Sequence, residues 1–437
     1  MILDRSLLYF LPLDQKTVYV PFDACDPEKI IPFKGDAMPV DLVDGNEVLY
    51  EHLLNAEDFY SNVESLIFSL FLYEPSFHCQ APYVNEVVNR SIEFCKSSSI
   101  FPNLKNIYVL HDTISVGGIL ADDDIDIKTI RTPYFLLNSL LSEEWYNQVP
   151  NTNQTNKCIF MIGDPNKIGR FPVLYEFYKN NDLNIIDYSL NFNFHGSLAK
   201  NQTVLNHIES VWLSTSNSDD DMCVWVKSIM DESSMSTADF ANICSQLQKR
   251  FLDDDFFDKP AGEIFPQAAY NFPKQYKGAN VVLYSETIFR DCRVPNFLPN
   301  NIDGFTEKAW KPLLTKKPFV SCSGNDWVYT RLECMGFKTF LEYTDFPSKT
   351  ESKKVTELAH KRTVSLLKNL EKNKEHILLD VDHNYRLWKS MATQAWKNLY
   401  DCCPPLKNIS KETLITLFTL GGKSAYYESH YKQDAPN

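Results

Sequence analysis

The chain has 437 residues, a hydrophobic fraction of 44% and a formal net charge of −14 at pH 7. This hydrophobic content excludes an intrinsically disordered chain, and the length exceeds what one hydrophobic core usually serves, so we expect two domains. The acidic balance argues against a protein that coats nucleic acids generally, because phosphate binding needs a basic surface.

The first 150 residues predict a mixed α/β domain. Short apolar segments at 18–22, 107–110 and 133–137 are typical of strands, and residues 56–72 of a helix. The polar segment NQVPNTNQTNK at 147–157 then interrupts the pattern and is predicted to be a linker. We therefore place an N-terminal domain of mixed strands and helices at 1–150.

One pair of residues in this domain is a candidate for acid–base chemistry. His111 and Asp112 follow the predicted strand IYVL, where a histidine can act as a general base oriented by a carboxylate. The alternative is a histidine that is simply hydrogen-bonded at the end of a strand. The sequence leaves both interpretations open.

Residues 157–350 predict a doubly wound parallel sheet. CIFMI at 158–162 is a short apolar run, typical of a strand buried on both faces, and an amphipathic helix begins at Arg170. Alternating strands and helices of this kind indicate a Rossmann-like domain. The further elements are strands at 184–190, 280–286, 318–322 and 337–343, helices at 236–252 and 326–335, and a helix that begins at Thr306. Residues 351–437 are predicted to be mainly helical.

The turn GDPNKIGR at 163–170 joins the first strand of this domain to its helix. In parallel sheets ligands bind beyond the carboxyl ends of the strands, where helix N-termini attract phosphate. Gly163 permits close approach of the backbone, and Lys167 and Arg170 add positive charge. The spacing lacks the G-x-G-x-x-G dinucleotide pattern, so an ordinary strand–helix loop is the alternative.

The segment FTEKAWKPLL at 305–314 places charged residues at the start of a predicted helix. Thr306 as N-cap and Glu307 in the first turn suit ordinary helix electrostatics. Lys308 and Lys311 do not, because cations oppose the dipole at a helix N-terminus. An anionic neighbour would offset this cost, and a carboxylate beside lysines suits a ribose next to a diphosphate. The region 306–374 is also locally basic, with 14 lysines and arginines against 8 aspartates and glutamates.

Two blocks, residues 159–190 and 305–343, resemble a family of phage-encoded glycosyltransferases. The resemblance depends on the glycine/arginine turn, the T-E-K-x-x-K-P motif, the P-F strand and the G-F-K-T-F ending, and it covers about residues 157–345. It implies a GT-B-like fold, in which two Rossmann-like domains face across a cleft. It also implies that the helical segment 351–437 packs back across the domains.

The resemblance assigns the donor, a UDP-sugar, to the domain at 157–350. It implies that Lys167 and Arg170 face the diphosphate and that Glu307 binds the ribose hydroxyls. Thr306, Lys308 and Lys311 would line the phosphate side. Ser285 and Glu286, at the end of the preceding strand, are further candidates for the same donor site.

The recurrent acceptor among phage enzymes of this type is the hydroxymethyl group of modified cytosine in double-stranded DNA. A glycan or protein acceptor and a non-catalytic nucleotide- or sugar-binding protein are the alternatives. DNA binding would need a basic strip. The candidates for that strip are Lys349, Lys353, Lys354, Lys361 and Arg362.

The remaining expectations concern cofactors and location. We expect no tightly bound cofactor and no metal site, and the sequence does not indicate a divalent cation requirement. The N-terminus lacks the pattern of a signal peptide, and the longest apolar run, at 65–73, is too short to span a bilayer. The 11 cysteines include no C-x-x-C pair. These features predict reduced thiols, no membrane partner and a cytoplasmic protein, in the host cytoplasm if phage-encoded.

Overall fold

The fold is described from a computed structural model of the chain. It describes residues 11–21, 61–70, 89, 101–111, 124–162, 169–190, 204–213, 221–249, 272–286, 305–323, 326–349, 355–415 and 417–418. Within these ranges the protein is α/β, with two separate sheets of mainly parallel strands.

The first sheet has five strands, in the order β1-β2-β3-β4-β5. These are β1 (Leu11–Pro12), β2 (Thr17–Pro21), β3 (Ser65–Leu70), β4 (Asn106–His111) and β5 (Asp126–Arg131). The pair β1–β2 is antiparallel and the other pairs are parallel. The predicted strands at 18–22 and 107–110 are thereby confirmed.

Two predictions for this region are wrong. Residues 56–72 were expected to be helical, but 65–70 form β3, which pairs with β2 on one side and β4 on the other. Its apolar run suits a central strand buried on both faces. Residues 133–137 were expected to form a strand, but helix α1 (Tyr134–Gln148) begins there. Pro133 suits a helix start, and the buried pairs Leu136–Leu137 and Leu140–Leu141 recur at helical spacing.

The second sheet has four strands, all parallel, in the order β7-β6-β8-β9. They are β6 (Thr155–Ile162), β7 (Ile186–Leu190), β8 (Ala279–Tyr284) and β9 (Phe319–Ser321), as the sequence predicted. Helix α2 (Phe171–Lys179), also predicted, connects β6 to β7 and buries most of its residues. This half of the chain therefore has the parallel α/β pattern that its sequence indicated.

Helices and short turns make up the remainder. The helices are α3 (Val204–His207), which continues as a π-helical turn at Ile208–Trp212, then α4 (Asp221–Ser233), α5 (Thr237–Leu247), α6 (Lys274–Gly278), α7 (Glu307–Leu314), α8 (Trp327–Cys334), α9 (Val355–Asn369) and α10 (Lys374–Cys402). Short 3-10 turns lie at Leu183–Ile185, Leu341–Tyr343 and Pro404–Asn408. The predicted helices at 236–252 and 326–335 correspond to α5 and α8, and the predicted helix that begins at Thr306 corresponds to α7.

The predicted strand at 337–343 is wrong. The segment is irregular and ends in the 3-10 turn at Leu341–Tyr343. Phe340 has a φ of 64°, in the left-handed region, which breaks an extended strand. Its ring packs on Phe319 at a centroid distance of 5.3 Å. The apolar residues of the segment are therefore buried by side-chain packing rather than by pairing in the sheet.

The chain divides into two compact units, each with one sheet. The first comprises Met1–Asn138 and Thr393–Asn437, and the second comprises Ser139–Ala392. The divisions fall inside α1 and α10, rather than in the segment 147–157 where the sequence suggested a linker. Among the described residues, no helix combines the length and apolarity that crossing a membrane requires.

Candidate functional site

The carboxyl edge of the second sheet collects most of the predicted donor-site residues that can be described. From β6 the chain continues to β7 on one side, whereas β8 pairs with β6 on the other. Such a reversal of strand order opens a crevice beyond the carboxyl ends of the strands, where ligands of open α/β sheets bind. Ser285 and Glu286 directly follow β8, and Arg170 directly precedes α2.

Arg170 is held at this edge by contacts of its neighbour Gly169. The thiol of Cys322, which follows β9, has one proton to donate and lies within hydrogen-bond distance of two acceptors, the carbonyl oxygens of Gly169 at 2.8 Å and Tyr284 at 3.0 Å. Burial raises the pKa of Cys322 to about 12, although the Ser285 hydroxyl and the Arg170 charge oppose this shift. The thiol is therefore a neutral hydrogen-bond donor, and Arg170 is only 6% exposed.

Glu286 is fully buried, and its carboxylate caps helix α7. One carboxylate oxygen accepts hydrogen bonds from the Thr306 backbone amide at 3.2 Å and the Thr306 hydroxyl at 2.5 Å. The other oxygen accepts from the backbone amide of Ala309 at 3.1 Å. These donors belong to the start of α7, where backbone N–H groups lack the usual i−4 carbonyl partner, although the Ala309 amide also lies 3.3 Å from the Thr306 carbonyl oxygen. Glu286 is thus an anion placed at the positive end of the helix dipole.

This contact revises the sequence-based view of the two lysines. The anionic neighbour that Lys308 was expected to need is supplied by Glu286. The ammonium of Lys308 lies 3.3 Å from the Thr306 hydroxyl, which in turn donates to Glu286. Lys311 is 7% exposed, and its ammonium lies 5.3 Å from the centre of the Phe272 ring. Lys308 does not therefore require a ligand to offset the helix dipole.

Ser323 extends the network to the next strand. Its hydroxyl accepts a hydrogen bond from the backbone amide of Glu286 at 3.0 Å and lies 3.2 Å from the hydroxyl of Ser321. The backbone amide of Ser321 donates to the Tyr329 hydroxyl at 2.7 Å. Sequence analysis missed Cys322 and Ser323. Cys322 ends the predicted strand at 318–322 and Ser323 directly follows it, so their position at a strand end could have identified both.

Several predicted site residues cannot be placed. Gly163, Lys167, Asp112, Lys353 and Lys354 lie outside the described residues. Glu307 is the first residue of α7, but its side chain is not among those described. Their roles in donor binding, catalysis or DNA binding therefore stay predictions.

His111 belongs to the first sheet, at the end of β4. The residue is 8% exposed, and its backbone carbonyl accepts hydrogen bonds from the Thr132 amide at 2.6 Å and the Thr132 hydroxyl at 3.2 Å. These contacts fix the backbone at the strand end. They assign no role to the imidazole, so the catalytic role of His111 stays a prediction.

The predicted basic strip is largely engaged in ion pairs. Lys349 pairs with Glu333, and Lys361 pairs with Glu357 at 2.5 Å one helical turn away. Both lysines are partly exposed and could still meet a phosphate. Arg362 could not, because it is fully buried, so the structure gives it a structural role instead of the predicted DNA contact.

Metal ligands and known relatives complete the description. Within the ranges given above, no group of three or more His, Cys, Asp or Glu side chains could hold a metal ion. No protein-family model, curated protein or solved structure matches the chain. The candidate site is thus defined by its own geometry, with Arg170, Lys308 and Lys311 as cations and Glu286 as a buried anion.

Proposed function

We propose that the protein is a glycosyltransferase that transfers a sugar from a nucleoside diphosphate sugar, with UDP as the leaving group. The observation that carries the proposal is the position of Arg170, Ser285 and the start of α7 at the carboxyl edge, where the strand order reverses. This is the ligand position of open α/β sheets. The T-E-K-x-x-K-P motif of the resembling phage family adds the expectation of a nucleotide sugar.

The proposed chemistry follows from the charges. As the bond between sugar and phosphate breaks, negative charge develops on the departing diphosphate. Fixed cations stabilise that charge more than they stabilise the bound donor, which lowers the barrier. Arg170 is the main candidate, because a guanidinium can bind two phosphate oxygens at once and its burial lowers the local dielectric. A general base would then deprotonate the acceptor hydroxyl, and His111 is the candidate for it.

The proposed acceptor is the hydroxymethyl group of modified cytosine in DNA, an expectation from the resemblance alone. Lys349 and Lys361 remain as partly exposed cations for phosphate contacts, whereas the burial of Arg362 weakens the case for a continuous strip. A hydroxyl on a glycan or protein is therefore retained as the alternative acceptor.

Product analysis tests the transferase proposal and its acceptor together. The purified protein is incubated with hydroxymethylated DNA and a panel of UDP-sugars, and the nucleosides are analysed by mass spectrometry. We expect a mass increase of one hexosyl or related residue on hydroxymethylcytosine, with release of UDP. Transfer to a glycan but not to DNA would replace the acceptor, and no transfer to any acceptor would refute the transferase.

A nucleotide-binding protein without transferase activity is the second candidate function. It requires only the phosphate-binding part of the site, because the fully buried Glu286 carboxylate, which accepts three hydrogen bonds from the start of α7, is enclosed by protein and not open to an acceptor hydroxyl. Binding of UDP without release of UDP from any UDP-sugar, in the presence of acceptor, would decide in favour of this candidate.

A further inference from the structure

Two neighbouring lysines, Lys277 and Lys317, lie at the amino edge of the second sheet. Lys277 belongs to α6, which leads directly into the start of β8, and Lys317 precedes β9 by two residues. The proposed donor site lies at the opposite, carboxyl edge of the same sheet. Neither lysine therefore has a role in the proposed function.

The side-chain nitrogen of Lys317 is held by the backbone at the end of α6. It donates hydrogen bonds to the carbonyl oxygens of Lys277, at 3.2 Å, and of Ala279. The nitrogen is tetrahedral, so one position remains besides Cε and these two hydrogen bonds. That position carries a third proton in the charged form and the lone pair in the neutral form. In the part of the chain that the structure describes, no further hydrogen-bond partner of Lys317 occupies it.

The positive charge of this pair is not balanced by a carboxylate of any described residue. The ammonium of Lys277 lies 4.4 Å from the centre of the Tyr146 ring, and burial raises the pKa of Tyr146 to about 12, so that this neighbour is neutral. Burial and, after it, the Lys277 charge lower the pKa of Lys317 from 10.5 to about 8. A far larger fraction of Lys317 is therefore neutral amine near pH 7 than of an ordinary lysine.

The pair is open to small molecules, because Lys277, Lys317 and Tyr146 each keep part of their surface exposed. Lysines become nucleophilic when they are desolvated or placed beside another cation. Lys317 meets both conditions, and the two carbonyl oxygens fix its nitrogen so that the lone pair of the neutral form is directed away from them. Lys277 has no carboxylate partner among the described residues and can attract an anion to the same place.

We propose that Lys317 is a nucleophilic lysine that forms an imine with small aldehydes carrying an anionic group, and that Lys277 binds the anion. The inference goes beyond the proposed function and does not depend on it. It assigns a covalent modification site to the amino edge of the sheet.

The reaction needs no reagent other than the aldehyde. The lone pair of the neutral Lys317 amine attacks the carbonyl carbon, and the carbonyl oxygen takes up a proton to give a carbinolamine. Loss of this hydroxyl group and of the remaining amine protons as water and a free proton leaves the carbon–nitrogen double bond, so one water is released for each imine formed. Lys277 contributes in two ways, because its charge disfavours the protonated form of Lys317 and attracts the anionic group.

Reductive trapping tests the inference, with pyridoxal 5′-phosphate as the anionic aldehyde and pyridoxal as the aldehyde without the phosphate. The folded protein is treated with each aldehyde and then with borohydride, and the modified lysines are quantified by peptide mass spectrometry. Lys316 is the internal reference, because it is 49% exposed and forms an ion pair with Asp382 at 3.0 Å. The ratio of label on Lys317 to label on Lys316 cancels the different intrinsic reactivities of the two aldehydes.

We expect pyridoxal 5′-phosphate to label Lys317 at least about tenfold more than Lys316 in the wild type, and pyridoxal to show a smaller preference. Lys277→Met should reduce the preference shown by pyridoxal 5′-phosphate about tenfold, because both effects of the neighbouring charge are lost. Lys274→Met is the matched control, since it removes an exposed cation from the same helix, and it should leave the preference unchanged.

Equal labelling of Lys317 and Lys316 in the wild type would overturn the inference, and this measurement does not depend on the folding of any variant. An unchanged preference in a folded Lys277→Met protein would also overturn it, as would a preference for pyridoxal over pyridoxal 5′-phosphate. Failure of the proposed function would appear separately, as wild-type protein that binds no UDP and releases none from UDP-sugars.

Discussion

The environment of Arg362 shows how burial decides what a charged residue can do. Its guanidinium forms a bidentate ion pair with the Asp326 carboxylate, with N···O distances of 2.8 and 2.9 Å. It also donates hydrogen bonds to the carbonyl oxygens of Phe346 and Ser348. Both charged side chains are almost completely buried. The hydrogen-bonding groups of this guanidinium therefore find partners inside the protein. Arg362 thereby joins the start of α8 to the segment that precedes α9.

Removal of this arginine is expected to be costly, because the Asp326 carboxylate would remain buried without its counter-charge. We predict that Arg362→Met lowers the free energy of unfolding by about 3–5 kcal/mol, measured by urea denaturation. The matched variant Lys361→Met removes an exposed cation and should cost less than about 1 kcal/mol. Equal stability of the two variants would contradict the structural role of Arg362.

Sequence alone could not identify this role. Arg362 lies in a locally basic region beside Lys361, which made a phosphate-binding strip a reasonable expectation. Its partner Asp326 is 36 positions away in the chain, and Asp326 adopts a left-handed backbone conformation just before α8. Pairing over such a separation depends on the fold, and no local pattern indicates it.

At the scale of elements, α2 and α9 pack together through a polar and aromatic contact. The His360 imidazole on α9 lies 2.8 Å from the carboxylate of Asp182, which follows α2. It also contacts the Phe177 ring in an edge-to-face arrangement, with the ring centroids 4.7 Å apart. Glu176 on α2 is also buried, and this burial raises the pKa of its carboxyl group, with Lys179 the largest opposing influence. The helix that begins beside Arg170 is therefore fixed at its other end by titratable groups.

The raised pKa of Glu176 predicts a pH dependence with a definite sign. The folded state holds the Glu176 proton more tightly than the unfolded state does. The stabilisation that results is fully present below the ordinary pKa of 4.5 and is lost as the pH rises through the folded-state pKa of Glu176. Glu176→Gln should consequently have a higher melting temperature than the wild type at pH 7, with a smaller difference below pH 4.5. An equal difference in melting temperature between Glu176→Gln and the wild type at both pH values would contradict this prediction. Glu371→Gln, at an exposed position, provides the control.

Two of the three errors in element prediction have a common cause. Residues 65–70 and 134–137 are both short, mainly apolar runs, and such a run does not distinguish a strand from a buried helix. The choice depends on partners distant in sequence, here β2 and β4 on either side of β3. The strands of the second sheet were easier to predict, because turn residues and amphipathic helices separate them.

At the scale of the whole molecule, the sequence predicted two α/β sheets but could not predict how distant segments meet. The contact between Cys322 and Gly169 joins residues separated by 153 positions, and it brings the end of β9 to the turn that carries Arg170. The order β7-β6-β8-β9 produces that meeting. Glu286 was predicted at this edge, but its role as the cap of α7 depends on the same long-range packing.

The central claim is that this edge binds a nucleoside diphosphate, and calorimetric titration with UDP tests it most directly. The proteins to compare are the wild type, Arg170→Met, Glu307→Ala and the control Arg386→Met, which removes a cation from the exposed face of α10. Circular dichroism would verify that each variant is folded.

We predict saturable binding of UDP to the wild type and to Arg386→Met. Arg170→Met should bind about tenfold or more weakly, because a charge-assisted contact to the diphosphate is lost. Glu307→Ala should also bind more weakly, because its carboxylate is expected to hold the ribose hydroxyls. A folded wild-type protein that does not bind UDP, or an Arg170→Met protein that binds it as tightly as the wild type does, would contradict the claim.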